Sequence, residues 1–352
     1  MLPFATVVPS EYARLLLNRL GSAPLRIHSV YRHTANIQVG RTLLLALTDD
    51  AQGRSPFGLA VAGPGAGRLL SFLSRHVGAA VSVNIGERCL LLGRRPLAAW
   101  NAATACASRL PASLPAGTDA GPVVTAARFH EILQRENSAW TSGGRGLGEM
   151  LDVWEPGDAG GPRLPAGTGG GQAESLSLWT RRAIPVIGPL IRRPLSELPE
   201  QARRLIGLGI GSTPSGDDVL LGLMVILRNA DQAGGNLNYP AAAPAGVTAR
   251  PHHGLHRLQA AVLRQAVKHT HLISFNYLFH AAQGRYSSHI TSFLQALTQG
   301  NGANALDQAV RKVLRVGSTS GWDTLIGILA GLYRLEAAET GTTRVPSRPA
   351  RD

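Results

Sequence analysis

Cysteine is nearly absent. Cys89 and Cys106 are the only two in 352 residues, too few for a disulfide framework and at no metal-ligand spacing. Lysine is as scarce: Lys268 and Lys312 stand alone, so the net charge of +13 rests almost wholly on arginine. Aromatic residues make up 5% of the chain. No basic run is interleaved with them, and no zinc-finger or RNA-binding signature occurs, which argues against a nucleic-acid partner. The arginines are scattered, and their summed field suits a small anionic substrate. Long apolar runs are missing too. Val219–Leu227 falls far short of a membrane span, and Met1–Leu20 lacks the basic-then-apolar pattern of a signal peptide. These absences lead to the expectation of a soluble cytoplasmic protein with no membrane partner.

Glycine (41) and proline (22) are abundant, so loops are numerous. The length suffices for two domains. Residues 1–140 read as a mixed α/β domain. Leu25–Val39 and Arg41–Leu47 are β-rich, and Val81, Val83 and Ile85 alternate with polar residues before a Gly86-Glu87 turn into Arg88–Leu92, as in a hairpin. Residues 102–121 suit a connector. Residues 141–174 carry Ser142-Gly143-Gly144, Gly160-Gly161-Pro162 and Gly169-Gly170-Gly171, a composition too poor in apolar side chains to offset its ordering entropy, and so are read as a linker or lid. A second such stretch runs from Gly234 to Gly254. Residues 175–340 read as a mainly helical domain, and 341–352 as a disordered tail. The fold class expected is therefore α+β: a β-rich N-terminal domain, then a mainly α-helical domain with an internal helix-loop-helix repeat.

That repeat is the strongest signal. Ser215, Gly216, Asp218, Leu220 and Gly222 share the frame Ser-Gly-x-Asp-x-Leu-x-Gly with Ser320, Gly321, Asp323, Leu325 and Gly327. A Gln-Ala-x-Arg stretch precedes each copy (Gln201–Arg204, Gln308–Arg311). Gly222, Gly327 and Gly331 lie inside helices at about 1 kcal/mol each, which predicts that the two helices pack through their glycine faces. The open amides of a helix start and its dipole attract anions. Gly207, Gly209, Gly211 and Gly216 let a ligand approach the backbone, and Ser212, Thr213, Ser215, Ser320 and Gly321 complete a phosphate or carboxylate cradle. Asp217 and Asp218 would repel an anion unless one holds an Arg, a metal ion or an amide N–H, or acts as general base. Ser215-x-x-Asp218 and Ser320-x-x-Asp323 also fit capping boxes with Asp in place of Glu, so each pair has a purely structural explanation. Caps leave the upstream glycines, Asp217 and the preceding Ser-Thr pairs unexplained.

Secondary candidates for the same site are Thr270 and Ser274, beside His269, His271 and Asn276, and His28 and Asn36, with Arg32, in the β-rich region. His252, His253 and His256 are either metal ligands or a solvated cluster. Gly207-x-Gly209-x-Gly211 follows a helix rather than a strand, which excludes a dinucleotide fingerprint, and no Lys is present for a P-loop.

The run Gly209-Ile210-Gly211-Ser212-Thr213-Pro214-Ser215-Gly216-Asp217-Asp218, with Thr270–Gly284 and Gly317–Gly331, resembles a bacterial family long catalogued as a domain of unknown function, which includes a subunit of oxamate carbamoyltransferase from anaerobic allantoin breakdown. The resemblance covers most of the chain, least over residues 100–175. Ser212 stands where Leu is expected, and the long glycine-rich insert is unusual. The resemblance implies phosphorolysis of oxalurate to oxamate and carbamoyl phosphate by an activity shared among several subunits. On that view phosphate sits at Ser212–Gly216, Asp217 or Asp218 orients or deprotonates an amide nitrogen, an Arg neutralises charge, and the Trp322 loop closes the other side, with partner subunits in an oligomer and no cofactor. Two other readings stay open: a non-catalytic subunit that binds a small carboxylate or holds a catalytic partner, and a hydrolase with a divalent metal on Asp217, Asp218 and Asp323.

Overall fold

The computed structural model describes residues 5–20, 24–50, 53–61, 63, 65–101, 124–141, 144–158, 160–164, 175–232, 252–299 and 303–339. The expected connector at 102–121, the residues 234–251 of the second Gly/Pro stretch and the tail 341–352 lie outside them. The chain divides into two compact units. One is Met1–Pro111 with Phe275–Leu294, the other Ala112–Ser274 with Gln295–Asp352.

In the first unit, eight strands close into a barrel: β1 (Ala5–Pro9), β2 (Leu25–Val30), β3 (Thr34–Val39), β4 (Leu43–Asp49), β5 (Gly58–Val61), β6 (Ala80–Asn84), β7 (Cys89–Leu92) and β8 (Arg95–Trp100). Their spatial order is β1-β5-β4-β3-β2-β6-β7-β8. Neighbours run antiparallel except β4 with β5 and β1 with β8, which are parallel. Alternation sends Val7, Ile27, Ile37, Leu45, Leu47, Leu59 and Leu90 into one core. Helices α1 (Glu11–Arg19) and α2 (Gly65–Ser74) add Leu17, Leu69, Leu70 and Leu73 to it. The opposite face of β4 is buried as well, at Leu44 and Ala46. Residues of Phe275–Leu294 supply that cover: Asn276 accepts from Leu44 N (3.0 Å) and donates to Thr42 O (2.9 Å), and Tyr277 and His280 pack on the Phe57 ring.

The sequence reading places sheet first and helices after, as found, yet it contains no barrel. It lacks β1, β5 and β8, the strands whose pairings close the ring.

The second unit is helical: α3 (Ala126–Ala139), a 3-10 helix (Gly146–Val153), α4 (Leu178–Arg192), α5 (Leu198–Arg203), α6 (Ser215–Gln232), α7 (His252–His269) and α8 (Leu272–Ala282), whose first residues lie here, α9 (Ser288–Gln299), whose last residues lie here, α10 (Ala303–Leu314) and α11 (Ser320–Glu339). Part of the stretch read as linker or lid is built into this unit. Leu147, Met150, Leu151 and Trp154 are buried, so the few apolar side chains among those glycines suffice to anchor it.

The pair α6 and α11 forms the centre. A Cβ on Gly222 would collide with the Thr324 carbonyl and lie 2.8 Å from Ile328 N; one on Gly327 would collide with the Val219 carbonyl. A Cβ on Gly331 would meet Ile226 at 3.0 Å. The glycine-faced packing expected from the sequence is thus observed, and it brings the two helix starts together.

Candidate functional site

The loop after α5 turns through Gly207, Gly209 and Gly211, at φ +73°, +122° and +88°. Gly209 carries the reversal. Its φ excludes other residues, and a Cβ there would stand 2.7 Å from Ser215 N. The loop therefore folds back on the start of α6. Gly216 and Gly321 serve another purpose than ligand approach: a Cβ on either would strike the carbonyl of Leu205 or of Val313. Their amides are engaged too, Gly216 N with Leu208 O (2.8 Å) and Gly321 N with Val316 O (3.1 Å). Asp217 N and Asp218 N both donate to Pro214 O. The backbone donors expected to cradle a phosphate at 216–218 are thus spent within the chain.

The two carboxylates of the shared frame are not tied to their own helix starts. The hydroxyls of Ser320, at the other start, and of Thr213 act on Asp218 and draw its pKa down. Those of Ser215 and Thr319 do the same at Asp323. Thr213 Oγ1 and Ser320 Oγ lie 2.8 Å apart. Each serine of the repeated frame thus serves the aspartate of the other copy, which a capping box does not do. Asp323 Oδ1 also accepts the Leu147 amide at 2.6 Å. Asp218 is 4% exposed and Asp323 fully buried, and Oδ2 of each lacks a partner among the described residues. Burial and the Asp323 charge push the Asp218 carboxyl well above its ordinary range. Burial pushes Asp323 up to about 6, against the pull of Leu147 N–H and the two hydroxyls.

Asp217 differs. Its Oδ1 accepts Gly207 N (2.9 Å), and its Oδ2 accepts Ser274 Oγ (2.7 Å) and Thr270 Oγ1. Burial raises its pKa while these donors hold it down. Thr270 and Ser274 therefore reach the first loop, through Asp217. Of their neighbours, His269 and His271 are exposed, and Asn276 belongs to the barrel unit.

The remaining candidates are dispersed in depth or in place. Gly211 is exposed, and Ser212, Thr213 and Ser320 are half-buried, so hydroxyls form the rim above a sealed carboxylate tier. Trp322 lies inside α11 rather than in a closing loop. It is wholly buried, edge-on to Trp140, with Gly148 leaving room for its ring. His28 and Asn36 lie on β2 and β3 of the barrel unit, both bonded to Ser29 Oγ, and Arg32 is exposed. The upstream arginines diverge: Arg204 stays by Gln201 while Arg311 pairs with Glu136. His256 is exposed on α7 in a groove with Arg257 and Arg264; the side chains of His252 and His253 lie outside the described residues. Among the described residues no group of three or more His, Cys, Asp or Glu is placed to hold a metal, and no helix is long and apolar enough to cross a membrane.

Sequence reasoning missed the segment 144–148. Gly146, at φ +51°, lies against Asp323 and Thr319 where a Cβ has no room, and so delivers the Leu147 amide to the carboxylate. The alternation Gly144-x-Gly146-x-Gly148 was the available signal, hidden in a glycine-rich stretch read only by composition.

The model of a protein family described as oxamate carbamoyltransferase subunit AllH matches residues 205–332. The matched span includes both helix starts, Thr270 and Ser274, and it supports membership of the chain in that family. No curated protein and no solved structure matches the chain.

Proposed function

From the match of residues 205–332 to the oxamate carbamoyltransferase subunit family, we propose that this chain contributes the reacting site of a carbamoyl transfer: phosphorolysis of oxalurate to oxamate and carbamoyl phosphate, carried out together with partner subunits. The observation that carries this reading is the crossed pairing of Ser320 with Asp218 and of Ser215 with Asp323. A like-charged pair held under shared hydroxyls is costly as architecture and useful as chemistry, because such surroundings keep a carboxyl protonated near neutral pH. The small anions meet the rim of Gly211, Ser212, Thr213 and Ser320, whose donors are hydroxyls and loop amides, and the carboxyls beneath handle protons. Asp217 positions the loop through Gly207, Thr270 and Ser274. No metal is needed for a leaving nitrogen that gains its proton from a carboxyl.

The test is phosphate-dependent release of oxamate from oxalurate by the chain assembled with its partner subunits. Asp218→Asn is expected to lower kcat by about 100-fold or more, on the scale of a lost acid–base group. Full activity in that variant overturns the reading. The near-complete burial of Asp218 and Asp323 favours a second reading, a non-catalytic subunit that binds a small carboxylate or holds a catalytic partner. That reading expects thermal stabilisation by oxamate, with turnover unchanged in the Asp218→Asn assembly.

A further inference from the structure

The two carboxyls are related in sequence but not in their donors. Asp323 accepts a main-chain N–H, from Leu147 at 2.6 Å. A main-chain N–H only donates, so this contact favours the anion. The side chains that draw the Asp218 pKa down are hydroxyls, those of Ser320 and Thr213, which lie 2.8 Å from each other. A hydroxyl donates to a carboxylate and, after rotation, accepts from a carboxylic acid, so this environment accommodates either state. The exits differ as well. Ser215, beside Asp323, is buried at 8% exposure, whereas Ser320 and Thr213 are half-buried and bonded to each other at 2.8 Å. Two buried oxygens, Oδ2 of each aspartate, are left without partners among the described residues, and two anions in such surroundings repel strongly.

We propose that Asp218 stores one proton at neutral pH and exchanges it with the surface through the hydroxyls of Ser320 and Thr213, while Asp323 remains the anion. This rests on the carbamoyl-transfer reading for its use. As hydrogen phosphate attacks the ureido carbon, the phosphate O–C bond forms and the C–N bond to the oxamate nitrogen breaks. That nitrogen takes a proton from the Ser320–Thr213 chain, which Asp218 refills. The proton that phosphate loses on becoming the mixed anhydride returns to Asp218, so protons and charge balance over the turnover. Asp218 acts through the hydroxyls and is a positioning residue and proton store; Ser320 and Thr213 are the groups that face the substrate.

The experiment is infrared spectroscopy of the isolated full chain at neutral pH, with H/D exchange followed at the carboxylic-acid carbonyl band. The wild type is expected to show such a band, removed by Asp218→Asn and kept in Asp323→Asn. Exchange of that proton is expected to slow at least 10-fold in Ser320→Ala and to recover in Ser320→Thr, which also controls for misfolding. The proposal is overturned if no acid band disappears in Asp218→Asn, or if Ser320→Ala exchanges as fast as the wild type. Neither readout needs substrate. A wild-type assembly that releases no oxamate defeats the carbamoyl-transfer reading instead, and leaves the stored proton and its path measurable by themselves.

Discussion

At the residue scale, stability and chemistry pull Asp323 in opposite directions. Its folded-state pKa is about 6, against an ordinary value of 3.8. The folded protein thus holds this proton more tightly than the unfolded chain does. The resulting stability is complete below pH 3.8 and is lost as the pH rises through about 6. Asp323→Asn carries no such loss. Its stability relative to wild type, measured by urea unfolding, is expected to rise by about 2 kcal/mol between pH 4 and pH 7. A constant or shrinking difference contradicts the assignment. His130, pushed down to about 4 by burial against Trp154 and Tyr333, acts with the opposite sign over the same window, but it is common to both proteins and cancels in the difference. Asp217 is the residue whose meaning the sequence could not reveal. Next to Asp218 in the chain it reads as the second half of a catalytic pair; in the fold it is occupied by Gly207, Thr270 and Ser274. Adjacent helical positions point to different faces, and only the packing of α6 decides which aspartate meets α11.

At the element scale, α6 and α11 touch backbone to backbone. At Gly222 and Gly327 the obstacle to a Cβ is a carbonyl of the partner helix, which cannot turn aside. Gly222→Ala is expected to destabilise by about 2 kcal/mol, overpacking exceeding the gain in helix propensity. Gly331→Ala meets only the Ile226 side chain and is expected to be within about 0.5 kcal/mol of wild type. Thermal unfolding of the two variants checks the contrast, and equal effects contradict it. The helices were legible because their apolar residues recur at helical spacing over ten or more positions. Helix α4 runs through Pro185 and Pro189 to Arg192, although an internal proline is ordinarily a signal that a helix ends. The missed strands were short and compositionally plain: Gly58–Val61 is Gly-Leu-Ala-Val, and Arg95–Trp100 contains Pro96 and two alanines. Such segments become strands by pairing with partners far along the chain, Val7 with Trp100 and Leu47 with Leu59 among them, which no local period announces.

At the scale of the whole molecule, chain order and spatial order part company. Phe275–Leu294 is continuous in sequence with the helical half yet covers the barrel, because the outer face of β4 needs an apolar lid and Asn276 satisfies its backbone. A boundary sought only in glycine-rich stretches overlooks that exchange. The packing of the two related helices on each other, by contrast, was readable from their shared frame and internal glycines, although not the crossing of their serines and aspartates. Crossing requires knowing that the helices pack through glycine faces, which sets each hydroxyl above the opposite carboxyl. A double-mutant cycle on unfolding free energy tests this most directly, with alanine at the serines and asparagine at the aspartates. The crossed pairs Ser320 with Asp218 and Ser215 with Asp323 are expected to couple by about 1 kcal/mol or more, and the same-helix pairs Ser215 with Asp218 and Ser320 with Asp323 by less than about 0.5 kcal/mol. Coupling confined to the same-helix pairs would mean two independent caps and no shared site.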